Sequence, residues 1–264
     1  FSVMRQRPTR SRSVPRDKIL APIGGINEMF GPWDDVLLRA HPAAHVSDLF
    51  IKPSVREGQL VVDYTLANLT DEPVTLALGA VVEDGAATAL ELASRTMTIP
   101  AGGEIAATLE APWADARRWS HEDPYLYHLR TRLTRGEQVV DEVRTRFGFR
   151  EFWVDGSHYY LNGARVNLLG SSWWPPRTPQ SREEIADTIR ATKEANCNVF
   201  RTHTQPWREV WYEVADELGL LMIPEGAVWN DDTVYRINDP RFWDNYADHL
   251  RAMVQRDRNK ASVI

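Results

Sequence analysis

Cysteine is almost missing from this chain: Cys197 is the only one in 264 residues. No intramolecular disulfide can form and no thiolate cluster can hold a metal. Its apolar surroundings, Ala195-Asn196-Cys197-Asn198-Val199, predict a buried, inert thiol. Apolar runs of about 18 residues are also lacking, so no transmembrane helix and no membrane partner are expected. Positive charge is not in excess. A net charge of −6 argues against nucleic acid as a partner, because a surface that tracks phosphates is basic. The one acid-free basic stretch, carrying Arg5, Arg7, Arg10, Arg12 and Arg16, reads as a solvated terminus. A glycine-rich phosphate loop, a His-Glu-x-x-His pair and a Gly-x-Ser-x-Gly elbow are all lacking, and no cofactor is expected. The sequon Asn68-Leu69-Thr70 is a match that chance often supplies.

What is present is core-forming material: 43% hydrophobic residues and ten Trp, too much apolar surface for a disordered chain. From Val46 to about Arg146 the texture is short strands divided by turn residues. Leu60, Val62, Tyr64 and Leu66 alternate with Val61, Asp63, Thr65 and Ala67, the period of a half-buried strand. Turn clusters at Asn68–Pro73, Ala101–Gly103 and Arg135-Gly136 separate further strands at Val74–Val82, Glu104–Leu109, Tyr125–Leu133 and Gln138–Thr145. About seven strands in roughly 100 residues, with no helical period between them, predict an immunoglobulin-like β-sandwich.

Past Phe152 the texture becomes strand then helix, repeated. Val166–Gly170 is a short apolar run. Ser181-Arg182-Glu183-Glu184 is a capping box opening a helix with Ile185, Ile189 and Thr192 on one face. Asn198–Thr202 is the next strand. Pro206 suits a first helical turn, Val210, Trp211, Val214 and Leu218 line one face, and Gly219 ends that helix. Leu220–Ile223 is a third strand, Asp239-Pro240 caps a helix with Phe242, Tyr246, Leu250 and Met253 on its face, and Ala261–Ile264 opens a fourth strand. Such alternation implies parallel βα units. A closed eightfold barrel takes about 250 residues, so the residues after Arg150 make either a small three-layer domain or the first part of a barrel.

Six segments, in collinear order, carry a resemblance to family 2 of the glycoside hydrolases (β-galactosidases, β-glucuronidases and β-mannosidases). Pro32-Trp-Asp-Asp-Val-Leu37 resembles the end of that family's jelly-roll domain. Ser120-His-Glu-Asp-Pro-Tyr-Leu-Tyr127 resembles the last part of its sandwich, and Arg146-Phe-Gly-Phe-Arg150 with Tyr160-Leu-Asn-Gly163 the passage into its barrel. Asn198-Val-Phe-Arg-Thr202, Asp216-Glu-Leu-Gly-Leu220 and Met253–Asn259 with Ser262-Val-Ile264 resemble the second, third and fourth barrel strands with their approaches. The resemblance implies a jelly-roll remnant over residues 1–45, an immunoglobulin-like sandwich over 46–150 and the N-terminal part of a (β/α)8 TIM barrel over 151–264.

It also implies a retaining hydrolase of terminal β-linked sugars, with a carbohydrate as the partner. Both catalytic carboxylates of such an enzyme, an acid/base Glu after the fourth strand and a nucleophile Glu after the seventh, would fall beyond Ile264. No catalytic residue is therefore assigned, and the chain alone is expected to be inactive. Asp231-Asp232 is not assigned the acid and base roles. Arg201 corresponds to the family arginine beside the nucleophile, where a guanidinium holds a carboxylate ionised and oriented. Glu225, after the third strand, is either a sugar-hydroxyl acceptor or a buried supporting carboxylate. His203 and Thr204 invert the Ser-His order of many relatives, which leaves sugar contact or a structural role for each. Trp173, after the first strand, is either a stacking face for a sugar or barrel packing; Trp174 beside it is the weaker candidate. Trp229 stands where the galactosidases place an acidic ligand, and indole cannot bind a hard cation, so no Mg²⁺ site is expected. A different class of function, a non-catalytic carbohydrate-binding or adhesion module, would place sugar binding on residues 46–150 alone.

Overall fold

The computed structural model describes residues 34–173, 180–203, 205–228 and 236–264, which divide into two compact units. One unit is Leu38–Leu168 with Arg258–Ala261. It contains the seven expected strands: β1 (Ala44–Ser54), β2 (Gln59–Asn68), β3 (Val74–Asp84), β4 (Ala87–Ile99), β5 (Glu104–Pro112), β6 (Tyr127–Arg135) and β7 (Gln138–Phe147). They form antiparallel sheets of order β1-β2-β5 and β4-β3-β6-β7, a β-sandwich.

Period-2 patterning builds the core. Leu60, Val62, Tyr64 and Leu66 of β2 are buried with Leu76, Leu78, Ala80 and Val82 of β3 and Tyr127, Leu129 and Leu133 of β6. Each fully buried aliphatic side chain there contributes roughly 1.5–3 kcal/mol. Two polar groups sit inside this layer and satisfy one another: Tyr64 Oη lies 3.2 Å from Thr131 Oγ1, bridging one sheet to the other. Burial pushes the Tyr64 phenol up to about 12. Asn68 is fully buried at the end of β2. Its amide nitrogen donates to Glu72 O (2.8 Å) and Pro100 O (3.2 Å), and its oxygen accepts from the Thr70 amide (3.0 Å) and hydroxyl (2.7 Å). The sequon is thus a turn staple, and a glycan on Asn68 would have to break these bonds.

The edge of β1 is covered by a side chain that imitates a strand. Asn259 accepts from the Ile51 amide (2.9 Å) and donates to the Leu49 carbonyl (3.1 Å). Arg258 adds a second donor to Leu49 O and an ion pair to Asp48, and Arg150 donates to the Ala261 and Lys260 carbonyls. An open edge with unpaired N–H and C=O groups is a template for aggregation; here a four-residue segment covers it.

Three short strands, β8 (Phe152–Asp155), β9 (His158–Leu161) and β10 (Ala164–Val166), form an antiparallel meander. Trp153 stacks on Tyr160 across it, with the Arg56 guanidinium 4.6 Å above the Trp153 ring. The Asn162 side chain accepts from the Glu151 amide and donates to Trp119 O, tying the meander to the sandwich. The compact units consequently part between Leu168 and Leu169, whereas the sequence reading divides the chain after residue 150.

The other unit includes Leu169–Asp257 and Ser262–Ile264. Its parallel sheet runs β11 (Gly170–Trp173), β12 (Val199–Thr202), β13 (Leu221–Ile223) in that order, and Val263 adds a parallel bridge to Met222. The helices are α1 (Arg182–Glu194), α2 (Glu209–Leu218) and α3 (Pro240–Asp257). This is the beginning of a TIM-barrel domain, without a closed barrel among the described residues. Ile185, Ile189, Phe200, Trp211, Tyr212, Val214 and Met222 make its core. The capping box at Ser181 forms in both directions, and Gly219 (φ 73°) closes α2 in the left-handed conformation. Asp216, buried on α2, accepts from the Ser262 amide at 2.7 Å and so anchors the fourth parallel segment.

Several local expectations shift. The apolar run Val166–Gly170 is not one strand: Val166 ends the meander paired with Tyr159, and the barrel strand starts at Gly170. Position 170 admits no side chain, since a Cβ there would lie 1.9 Å from Val199 O on the neighbouring strand. Helix α2 starts at Glu209, three residues beyond Pro206, because its cap comes from outside: the Glu209 amide donates to Asp34 Oδ2 at 2.9 Å. On α3 only Phe242 of the expected face is fully buried, with Tyr246, Leu250 and Met253 half-buried. Cys197 is half-buried rather than buried. The expected jelly-roll remnant lies outside the described residues up to position 33, and no strand forms over residues 34–43.

Candidate functional site

Adjacent side chains on a strand point to opposite faces. In β12, Phe200 joins the helix-side core, so Arg201 is turned to the other face, where its side chain keeps 44% exposure. The parallel register places Ser172 of β11 and Ile223 of β13 directly beside it. Glu225 follows two residues after Ile223. These residues lie at the C-terminal ends of parallel strands, where barrel enzymes build their sites.

The guanidinium is held on two sides. Arg201 Nη1 donates to Ser172 Oγ at 3.0 Å and Nη2 to Glu225 Oε1 at 2.6 Å. The charged bond is short, as charge-assisted bonds are. The other Glu225 oxygen faces the His203 ring, with Nδ1 at 3.9 Å. Glu225 and His203 are both mostly covered, at 21% and 24% side-chain exposure. The backbone of Glu225 is fixed as well: its amide donates to Thr202 Oγ1 at 3.0 Å, and Thr202 is fully buried. Beneath Thr202 lies Tyr212, whose hydroxyl accepts from the Trp207 amide and whose phenol burial pushes up to about 12.

Three of the sequence candidates, Arg201, Glu225 and His203, therefore converge. Trp173 ends β11 in register with Thr202, and its side chain lies outside the described residues. Thr204 and Trp229 lie outside them too, as do Asp231 and Asp232. Ser172 was missed by sequence reasoning, and no local signal marks it: it becomes part of the site only through the register of β11 against β12. Among the described residues no group of three or more His, Cys, Asp and Glu is placed to hold a metal. A cavity of about 230 Å³ lies elsewhere, in the sandwich unit, between β1, the Phe147–Phe152 stretch and Arg258–Ala261. Its Arg258 and Lys52 are already paired with Asp48 and Asp63. The arrangement around Arg201 can present one aimed cation, flanked by a carboxylate and an imidazole, to an anionic or hydroxyl-rich group on the open side of the strand ends.

Comparison with known proteins gives a consistent picture. A family model for glycosyl hydrolases family 2 matches residues 44–150, and the model for the TIM-barrel domain of the same family matches residues 176–264. A β-galactosidase of Streptococcus thermophilus is 30% identical over 259 residues, covering 89% of this chain and 24% of the relative. The large subunit of a β-galactosidase of Leuconostoc lactis is 30% identical over 206 residues, covering 74% of this chain and 31% of the relative. Among solved structures, a β-glucuronidase of Bacteroides uniformis superposes with a TM-score of 0.72 at 25% identity, over 85% of this chain and 28% of that one. A β-galacturonidase of Eisenbergiella tayi shares the fold, with a TM-score of 0.74 at 21% identity over 84% of this chain and 40% of that one. The chain thus spans about a quarter to a third of the length of these curated relatives.

Proposed function

The chain belongs to family 2 of the glycosyl hydrolases, and on that premise we propose that it is the central part of a retaining β-glycosidase acting on terminal β-linked sugars. The observation that carries this reading is the fixed guanidinium of Arg201 at the C-terminal ends of parallel strands, with Glu225 and His203 beside it. In a retaining mechanism one carboxylate attacks the anomeric carbon while a second, about 5–5.5 Å away, protonates the leaving oxygen. On this reading both carboxylates fall on later barrel strands of the longer protein, and the 264 residues alone are expected to be inactive. Arg201, Glu225 and His203 form one wall of the pocket for the sugar whose bond is cut, and Trp173 and Thr204 stay candidates for it by their place in the sequence. The chain is read as a jelly-roll end to residue 45, the sandwich over 46–150 and the opening of the barrel over 151–264.

The names of the relatives support a β-galactoside or β-glucuronide as first substrates to try. Nitrophenyl glycosides of both sugars, offered to the 264-residue chain and to a longer gene product that includes it, test the reading. Turnover is expected only from the longer protein, with the β-anomer as first product by NMR. Hydrolysis by the isolated chain, or an inert longer protein, would overturn the proposal. The competing reading, a sugar-binding module on the sandwich, gains nothing from the seven strands. Their one partly exposed aromatic side chain is Phe50, and the Arg258 guanidinium sits 4.9 Å over its ring.

A further inference from the structure

We infer that Ser172 and Glu225 are positioning residues which together aim the Arg201 guanidinium, and that Glu225 acts on the sugar through Arg201 rather than as a hydroxyl acceptor. The inference rests on the glycosidase reading above and deepens it at the same site.

The argument is geometric. A free arginine side chain samples many rotamers, and fixing it is entropically costly. Arg201 is fixed by two partners on opposite sides of β12: Ser172 Oγ on β11 accepts from Nη1, and Glu225 Oε1, two residues past β13, accepts from Nη2. Bonds at two nitrogens define the plane of the guanidinium as well as its position. Glu225 has little freedom left to serve a ligand. One carboxylate oxygen is engaged by Arg201, the other faces His203, and the residue's own amide is bonded to the buried Thr202 hydroxyl. Among the described residues, Glu225 bonds the guanidinium directly and the His203 ring lies on the far side of that carboxylate. Preorganised charge of this kind stabilises charge that develops during reaction without reorganisation at that moment.

Removing either partner loosens the cation without removing it. A hydrogen bond to a charged group, once lost, changes rates by about tenfold to a hundredfold if it is made in the transition state. The test uses the active longer protein, with folding checked by circular dichroism and active sites counted by a mechanism-based covalent inactivator. Ser172→Ala and Glu225→Ala are expected to lower kcat/KM about tenfold or more per active site. Both should also move the acid limb of the kcat/KM–pH profile upward, because a misaimed cation holds the nucleophile's carboxylate ionised less well. Ser172→Thr, which restores a hydroxyl at the same position, should recover most of the loss. A role confined to folding would lower the titrated site count and leave the pH profile in place, and that result would overturn the inference. Should Glu225→Ala fail to fold, the exposed Ser172 still decides the matter: an unmoved acid limb in Ser172→Ala also overturns it. A wild-type protein inert on every β-glycoside sinks the functional reading and this inference with it, whereas an active wild type with unaltered variants sinks the positioning role alone.

Discussion

Replacing Asn259 with Ala should loosen the sandwich at one strand edge, and the loss can be worked bond by bond. Asn259 makes two hydrogen bonds to β1, accepting from the Ile51 amide and donating to the Leu49 carbonyl. The two are not equivalent. Leu49 O has a second donor in Arg258 Nη2 at 3.1 Å, so it keeps a partner in the variant. The Ile51 amide loses its acceptor, and Ile51 is 3% exposed, so water has poor access to it. A buried donor left unsatisfied costs about 1–3 kcal/mol, while a bond whose acceptor keeps another partner costs about 0.5–1.5 kcal/mol at most. The expected destabilisation for Asn259→Ala is therefore about 2–3 kcal/mol. Asn259→Asp keeps the acceptor for Ile51 and surrenders only the second bond, so its loss should stay near 1 kcal/mol. Urea unfolding should report both as a lower midpoint with an unchanged slope, and hydrogen exchange should show faster exchange at the Ile51 amide in the Ala variant only. If Asn259→Ala shifts stability by less than about 0.5 kcal/mol and Ile51 stays protected, the edge is held by something other than this side chain.

Gly170→Ala should be far worse than an ordinary strand substitution. The new Cβ would sit 1.9 Å from Val199 O, a backbone atom that can move only if β11 and β12 part, and overpacking of that kind costs about 3 kcal/mol; a thermal melt within a degree of the parent would contradict it. High pH offers a titration test. Tyr64 and Tyr212 both have folded-state values of about 12 against an ordinary 10. A phenol whose value is raised on folding contributes its stability fully below pH 10 and loses it as the pH climbs toward 12. Stability should therefore fall across that window, and tyrosinate absorbance should show these two among the last of the eight tyrosines to ionise. Early, simultaneous ionisation with no loss of stability would refute the burial argument.

The sandwich was legible because its signal is redundant. The buried positions of β3, β6 and β2 as far as Leu66 agree with a period of two, and the turn residues fall between strands, so an error at one position is corrected by its neighbours. The helices were legible at their capped ends: the Ser181 box and Gly219 are read from four residues or one. Expectation failed where long-range contacts decide. Pro206 marks a helix start on local grounds, yet α2 begins where Asp34, 175 positions away in sequence, supplies its cap. Val166–Gly170 reads as one apolar strand, yet pairing with Tyr159 takes Val166 into the meander and close approach to Val199 makes Gly170 the start of the next strand.

The same division runs through the site. Arg201 was legible through its match to the family arginine, and Glu225 because it follows a strand and so faces the mouth of a parallel sheet. Ser172 was not, since serine before a tryptophan pair carries no chemistry of its own. Its part depends on β11 lying in register with β12, and that register depends in turn on a glycine at 170 that lets the two backbones close. The charged residue can therefore be recognised from sequence, but the small neutral group that directs it cannot, because direction is a property of three strands that start 29 and 22 residues apart. Substitutions at Gly170 and Ser172 should accordingly converge on Arg201 by different routes. Gly170→Ala removes the register that brings Ser172 alongside, and Ser172→Ala removes the bond while keeping the register. If catalysis in the longer protein depends on that bond, the double variant should be little worse than Gly170→Ala alone, since residues acting through one contact are not additive.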